Sequence, residues 1–114
     1  MLSENETDRL YSYFGFLRKM GAITVGEEME DKMAHNKKMF VIVTPACNDK
    51  KRRHILQLAK EASRVTPYEY HGDFPLHTAA GFKKLNAVGI ENVSLGESII
   101  AILKKDEETK EEVK

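Results

Sequence analysis

The chain has 114 residues, 41% of them apolar, and its 18 basic and 18 acidic side chains give a formal net charge of zero. This length is enough for one domain and short for two, so we expect a single domain over residues 1–114 with loose ends at residues 1–6 and 106–114. The ordinary apolar fraction, with seven glycines and three prolines, excludes a collagen-like chain, a low-complexity chain and disorder throughout.

Two helices and a short extended segment are predicted in the first third of the chain. Apolar side chains recur at intervals of three and four over residues 8–20, which predicts an amphipathic helix. Gly21 follows two cations and suits the left-handed end of that helix. After an extended piece at residues 22–25, a second helix is expected to begin near Gly26, because the acidic residues that follow favour the first turn of a helix.

The centre of the sheet is predicted at residues 39–44, a continuous apolar run rich in β-branched side chains that ends at Pro45. Asn48 or Asp49 then caps a third helix, whose apolar stripe faces inward. Residues 66–70 are expected to be extended.

The last third of the chain is predicted to hold two helices with a short strand between them. Pro75 suits the first turn of a helix that we expect to run to Val88 and to end at Gly89. A strand is expected at residues 92–95, and a final helix from Gly96. Helices and short extended segments alternate along the chain, which predicts an α/β fold with helices on both faces of a mixed sheet of about four strands.

The zero net charge conceals an uneven distribution along the chain. Residues 1–31 carry three basic and seven acidic side chains, whereas residues 37–64 carry eight basic and two acidic ones. Four of these cations occupy residues 50–53, at the start of the third predicted helix, where they oppose the helix dipole. Two interpretations stay open: a solvated helix face, or a patch that binds a polyanion such as nucleic acid.

Motifs for nucleotide or metal chemistry are missing from the sequence. It has neither a Walker loop nor a Gly-x-Gly-x-x-Gly motif, and its four histidines stand singly beside one cysteine, Cys47. Cys47 and His54 are conceivable as a reactive pair, although a small residue that fills a strand-to-helix turn is the simpler explanation. The carboxylates after Gly26 suit acid-base chemistry, a cation site or the start of a helix, and the last is their default role. We therefore expect no enzyme, no cofactor and no metal.

The sequence also indicates a location for the protein. A single cysteine gives no sign of an oxidising compartment, and the acidic amino terminus does not resemble a secretory signal. The longest nearly uncharged runs are far shorter than the roughly 20 residues that span a bilayer. We therefore expect a cytoplasmic protein that does not enter a membrane.

Three stretches of the sequence carry a resemblance when they are taken together and in order. They are Phe14-Gly-Phe-Leu-Arg-Lys-Met-Gly-Ala-Ile-Thr-Val-Gly-Glu-Glu28 followed by Lys32, then Ala46-Cys-Asn-Asp-Lys-Lys51, and then Leu85-Asn-Ala-Val-Gly89. They resemble the L-seven-Ae and L-thirty-e family of ribosomal and kink-turn RNA-binding proteins, above all its small bacterial members. The resemblance covers roughly residues 10–103 and implies a three-layer α-β-α sandwich, in agreement with the periodicity.

The resemblance also implies a function without catalysis, the binding of structured, kink-turn-like RNA on or near the ribosome, with no DNA partner. In that family, the helix that begins at the Gly-Glu-Glu position docks on the kinked RNA, where its amide groups meet phosphates. Carried over to this chain, Gly26 allows close backbone approach, Glu27 and Glu28 accept hydrogen bonds from guanine edges, and Lys32 donates to a base or a phosphate.

Two further segments are expected to contribute to the same interface. Lys37 and Lys38 add positive charge near the docking helix. A second RNA-contacting loop of the family matches the segment made of Gly89, Ile90, Glu91 and Asn92. In this match Ile90 packs on an extruded base.

A protein-interaction module of the same fold, without RNA binding, is the alternative hypothesis. The aromatic side chains Tyr11, Tyr13 and Tyr68 are candidates to anchor such an interface. A third hypothesis, a small enzyme or ligand-binding protein built around Cys47 and His54, comes without a substrate suggested by the sequence. The oligomeric state stays open.

Overall fold

The computed structural model of the chain describes the backbone of residues 2–112 and the side chains of residues 2–108. Within this part of the chain, five helices and four strands alternate along the sequence. In chain order they are α1 (Glu4–Met20), β1 (Ile23–Thr24), α2 (Gly26–Ala34), β2 (Met39–Val43), α3 (Asp49–Glu61), β3 (Val65–Glu69), α4 (Leu76–Ala80), β4 (Ala87–Ile90) and α5 (Val93–Glu112). The predicted α/β fold is confirmed.

The strands form one mixed sheet in the order β1-β4-β2-β3. Strand β4 lies antiparallel to both of its neighbours, whereas β3 runs parallel to β2. Parallel neighbours need a long crossover connection, and α3 provides it between β2 and β3. The register pairs Gly89 with Thr24 on one side and with Val41 on the other, so this glycine lies in the interior of the sheet.

Helices cover both faces of the sheet and complete the three-layer sandwich. Side chains alternate between the two faces along a strand. In β2, Val41 shares a buried cluster with Met29 of α2 and Ile55 of α3, whereas Ile42 shares the opposite cluster with Phe14 of α1. The continuous apolar run of β2 is thus explained by burial on both faces.

The segment between α4 and α5 differs from the prediction. The helix expected to run from Pro75 to Gly89 is only the short helix α4, because Gly81 adopts a left-handed φ of +88° and its N–H donates to the Thr78 carbonyl. The last strand is β4 rather than residues 92–95, and the expected helix end at Gly89 lies inside it. This part of the prediction was wrong because pairing with β1 and β2, not local periodicity, determines that residues 87–90 form a strand.

Helices α1 and α5 begin earlier than predicted. Helix α1 begins at residue 4 rather than at residue 8, because Ser3 and Glu6 form a capping box with two hydrogen bonds of 3.1 Å. Helix α5 begins at residue 93 rather than at Gly96, because the side-chain oxygen of Asn92 accepts a first-turn N–H at 2.9 Å.

Both ends of the chain that were expected to be loose contain helical residues. Residues 4–6 belong to α1 and residues 106–112 belong to α5. Asp106 is buried and accepts a hydrogen bond of 2.8 Å from the hydroxyl of Tyr70. Residues 1, 113 and 114 lie outside the described residues, and the division of the chain into one domain stays a prediction.

Candidate functional site

The first turn of α2 is exposed and has no side-chain cap. Gly26 makes the turn from β1 into α2 with a left-handed φ of +61°. The preceding Val25 offers no side-chain acceptor, whereas Ser3 and Asn48 accept backbone N–H groups at the starts of α1 and α3. Gly26 is exposed, and the position that a Cβ would take is open space. The N–H groups of this helix end are therefore accessible to a ligand.

A groove of about 210 Å³ opens beside this helix end. Its polar and exposed lining comes from the starts of α2 and α3 and from the loop between α4 and β4, namely from Gly26, Glu30, Lys51, Phe82, Lys84 and Asn86. Phe82 is a large apolar side chain, yet 38% of its surface is exposed. The groove thus combines an open helix N-terminus, two cations and an aromatic ring.

Glu30 joins the starts of α2 and α3 at the wall of the groove. Lys51 Nζ donates to one carboxylate oxygen of Glu30 at 2.7 Å, and His54 Nε2 lies 2.7 Å from the other. The hydrogen bond from Lys51 is the main reason that the pKa of Glu30 lies below its ordinary value, and His54 acts in the same direction. Glu30 therefore neutralises part of the basic block inside the protein.

The four basic residues at the start of α3 divide into two pairs. Lys51 and Arg52 have carboxylate partners, and Arg52 donates to Asp49 at 2.7 Å. Lys50 and Arg53 are exposed, and across the described part of the chain no carboxylate oxygen lies within 4 Å of either cation. Half of the block is thus compensated internally, and half faces solvent.

Lys32 lies toward the opposite end of α2 and is also paired. Its Nζ donates to Glu91 at 2.7 Å and lies 3.4 Å from Glu28, while Lys37 Nζ lies 4.0 Å from Glu91. The hydrogen bond to Glu91 is the main cause that raises the pKa of Lys32 above its ordinary value. Lys32 lies six positions after Gly26 in the helix, which corresponds to about 9 Å along the axis. The predicted docking helix and the predicted second contact loop therefore meet through Lys32 and Glu91, but at a distance from the open helix end.

The second contact loop predicted from the resemblance does not line the groove beside Gly26. Gly89 and Ile90 belong to β4, and Ile90 is 0% exposed within the core. A Cβ on Gly89 would come within 2.3 Å of Met39 Cε, so sheet packing explains this glycine. The prediction that Ile90 packs on an extruded base is wrong, because its side chain is inaccessible. Asn92 has a structural role as the cap of α5.

Sequence reasoning did not single out two of the residues that line the groove beside Gly26. Phe82 and Lys84 line the groove with Gly26, and both are exposed. The signal available in the sequence was an aromatic residue between a glycine and two lysines at residues 81–84. The remaining predicted contacts, Glu27, Glu28 and Lys38, are exposed, and their roles stay predictions.

The two residues of the enzyme hypothesis, Cys47 and His54, are buried or paired with another side chain of the chain. Cys47 is 3% exposed, and burial raises the pKa of its thiol, while His54 is paired with Glu30. Among the residues that the structure describes, no group of three or more His, Cys, Asp or Glu side chains is arranged to hold a metal ion. Over the same residues, no helix combines the length and apolar character needed to cross a membrane.

The three tyrosines of the interaction hypothesis each contact another side chain of the same chain. The Tyr11 ring packs edge-on against Phe74 with 5.3 Å between centroids, the Tyr13 hydroxyl accepts from Arg9, and the Tyr68 hydroxyl donates to Glu107. Each of these rings therefore has an intramolecular contact, whereas Tyr11 remains 40% exposed, and a role in a protein interface stays a prediction.

Fold and groove together define a small three-layer α/β domain with cations and an open helix end around one groove. No family profile and no curated protein sequence matches the chain. Solved structures do match, among them a Bacillus halodurans protein of unknown function, with a TM-score of 0.70 and 12% identity over 83% of this chain and 96% of that one. The 15.5kD RNA binding protein of Giardia lamblia matches with a TM-score of 0.63 and 17% identity over 94% of this chain and 92% of that one. The chain therefore has the fold of these proteins, in agreement with the fold that the resemblance implied.

Proposed function

We propose that the chain binds structured RNA of the kink-turn type through the groove at the start of α2, and that it does so without catalysing a reaction. The observation that carries this proposal is the uncapped, exposed helix end at Gly26, which shares its groove with Lys51, Lys84 and Phe82. The fold is shared with a Giardia lamblia protein that is named as RNA binding, which supports RNA as the class of ligand.

Each part of the groove suits a different part of a bent RNA. Amide groups at a helix start bind anions, so the Gly26 end suits a phosphate, and Lys84 adds positive charge beside it. The exposed ring of Phe82 suits an unpaired base, because stacking on an aromatic ring contributes about 1–3 kcal/mol per base. A kinked RNA exposes such unstacked bases, whereas a straight A-form duplex hides them. The groove is therefore better matched to a kinked RNA.

The direct test compares a kinked RNA with a straight RNA duplex that has the same number of phosphates. We expect the kinked RNA to bind at least about tenfold more tightly at equal salt, because only it offers an unpaired base to Phe82. Equal affinity for the two RNAs would reduce the groove to a generic basic surface and contradict the proposal.

A matched pair of variants tests whether a phosphate lies at the helix end. Aspartate and asparagine are nearly equal in size and both tolerate a left-handed φ, so Gly26→Asp and Gly26→Asn should both fold. We expect Gly26→Asp to bind kinked RNA at least about tenfold more weakly than Gly26→Asn, because its carboxylate repels the phosphate. Equal affinities of the two variants would show that no phosphate approaches this helix end.

We further infer that the target RNA lies on or near the ribosome and that the protein works in the cytoplasm. The resemblance in the sequence to small bacterial members of a ribosomal protein family supports this inference. Cosedimentation with purified ribosomal subunits tests it, with Gly26→Asp as the control that should sediment with the subunits to a smaller extent than Gly26→Asn.

A further inference from the structure

The outer side of α3 carries a row of exposed cations. Lys50, Arg53 and Lys60 lie on the helix, and Arg64 follows just after its end; all four side chains are exposed. Spacings of three and seven residues place Lys50, Arg53 and Lys60 on one side of a helix with 3.6 residues per turn, together with exposed Gln57 and Glu61, whereas Arg64 lies beyond the extended residue Ala62 that ends the helix. We refer to the four basic residues as the α3 stripe.

Internal pairing does not account for the α3 stripe. The other two cations at this helix start, Lys51 and Arg52, are paired with Glu30 and Asp49. For the four stripe residues, the described residues place no carboxylate oxygen within 4 Å of the charged groups. Their positive charge therefore remains available to a partner.

The position of Lys50 and Arg53 is unfavourable for the helix itself. Lys50 lies in the first turn of α3, where the helix dipole repels cations, and Arg53 lies at the start of the second turn. Helix stability explains Lys60, which lies in the last turn, but it does not explain the other two. A polyanion bound along this face would compensate them.

The stripe begins where the groove ends. Lys51 lines the groove and Lys50 precedes it in the first turn of α3, so the stripe begins at the end of the helix that borders the groove. From Lys50 to Lys60 the helix rises about 15 Å. A rigid, evenly charged rod suits this length better than a compact ligand does, and double-stranded RNA is recognised largely through its phosphates and its shape.

We propose that the α3 stripe binds the phosphate backbone of a double-stranded arm that flanks the RNA kink in the groove. This inference rests on the proposed function, and it adds a second contact that does not depend on sequence. The stripe supplies affinity that grows with the length of the arm, whereas the groove supplies the preference for a kink.

The test uses a kinked RNA with either a short arm or an arm that extends past the about 15 Å of the stripe. The variant K50Q/R53Q removes two charges from the stripe, and K19Q/K104Q removes two exposed charges from α1 and α5 in the opposite layer. For the unchanged protein we expect the long arm to raise affinity about tenfold. K50Q/R53Q should lose most of this gain, and its salt slope on the long-arm RNA should fall by about 2, at roughly 0.9 per phosphate contact. Its affinity for the short-arm RNA should stay within about twofold.

Several outcomes would overturn the inference: no gain from the long arm in the unchanged protein, equal losses for K50Q/R53Q on both RNAs, or an equal loss for K19Q/K104Q. Unchanged RNA binding by K50Q/R53Q together with lost binding to polyglutamate would also overturn it, because the partner would then be an acidic protein. Failure of the proposed function is distinguishable, since it removes the preference for kinked over straight RNA. In that case the binding of a long straight duplex tests the α3 stripe separately. The inference is contradicted if K50Q/R53Q does not lower the salt slope of binding to this duplex by about 2.

Discussion

Glu30→Gln separates two effects that one carboxylate has on this protein. Glutamine keeps the size of the side chain but removes the charge that holds Lys51 and His54. The free energy of unfolding should therefore fall, because two charge-assisted contacts are weakened. Affinity for kinked RNA should rise, because the groove loses a negative charge and Lys51 becomes available to a phosphate.

The loss of stability follows from the burial of the three partners. Glu30 is 18% exposed, whereas Lys51 is 37% and His54 is 54% exposed. Hydrogen bonds to charged groups contribute about 1.5–3 kcal/mol, and exposed ion pairs contribute about 0.2–1 kcal/mol. Lys51 and His54 regain water in the variant, so we expect a loss of about 1–2 kcal/mol, or roughly 4–8 °C in Tm for a domain of this size.

The gain in affinity follows from the charge removed from the groove wall. Gly26 and Glu30 are four helical positions apart, about 6 Å along the axis, so we take about 8 Å as the separation of a bound phosphate from the carboxylate, which gives a repulsion of about 2 kcal/mol at an effective dielectric constant of about 20. Screening over a Debye length of about 10 Å at 0.1 M salt reduces this to about 1 kcal/mol. Affinity should therefore rise about fivefold, and the gain should shrink at higher salt.

Urea unfolding and RNA titration of the same preparations measure both effects. Asp31→Asn is the matched control, because it removes a negative charge from the neighbouring residue. The Asp31 side chain is exposed and, over the described residues, has no cation within 4 Å. The stability difference should also vanish in acid. Folding lowers the pKa of Glu30 below its ordinary 4.5, so its contribution is present above that pH and is lost as the pH falls through the folded value. Equal effects of the two variants, or a difference that persists in acid, would refute the reasoning.

Three further variants or titrations probe the groove, the core and the start of α1. Phe82→Ala should weaken binding to kinked RNA by about 1–3 kcal/mol through lost stacking, whereas Phe16→Ala, which removes another exposed ring, should leave it unchanged in a titration; equal losses would count against stacking. Tyr70→Phe should lower the free energy of unfolding by about 2–3 kcal/mol in urea, because Asp106 loses a buried donor and the Phe74 N–H loses its acceptor. The Glu6 carboxylate accepts the N–H of its capping residue and a hydrogen bond from Lys105, which lower its pKa to about 2. Its stabilising contribution should therefore be present above pH 4.5 and be lost as the pH falls toward 2, and carbon NMR of the carboxyl group should show a midpoint well below 4.5.

Elements with strong local signals were predictable from the sequence. The central strand β2 matches the expected apolar run, and helices α2 and α3 begin at Gly26 and Asp49, where capping residues and charge predicted a start. In each case the signal lies within a few residues of the element that it specifies. The general architecture followed from these elements, because alternating helices and strands have few ways to pack.

The loop that lines the groove was not predictable from the sequence, because two similar dipeptides, at residues 81–82 and 89–90, were equally suitable for this position. Gly81 is followed by Phe82, and Gly89 is followed by Ile90, so each offers a glycine and a large apolar side chain. Pairing of β4 with β1 and β2 buries Ile90, whereas the left-handed turn at Gly81 leaves Phe82 at the surface. Sheet pairing joins residues that are far apart in sequence, so no local pattern distinguishes the two dipeptides.

The charge available for recognition is decided by pairing inside the protein and not by composition. A chain with zero net charge, four acidic residues in one short helix and a basic block in the next is ambiguous as a ligand for RNA. The structure assigns Glu30 to Lys51 and His54, and Glu91 to Lys32, so these charges largely compensate each other. Among the described cations that have no carboxylate oxygen within 4 Å, Lys84 lines the groove and Lys50, Arg53 and Lys60 lie on the outer side of α3. A chain with zero net charge can therefore present a positive surface on one side, provided that its acidic residues are paired with particular cations. Variants of the paired acidic residues should then alter RNA affinity more than variants of the exposed acidic residues do.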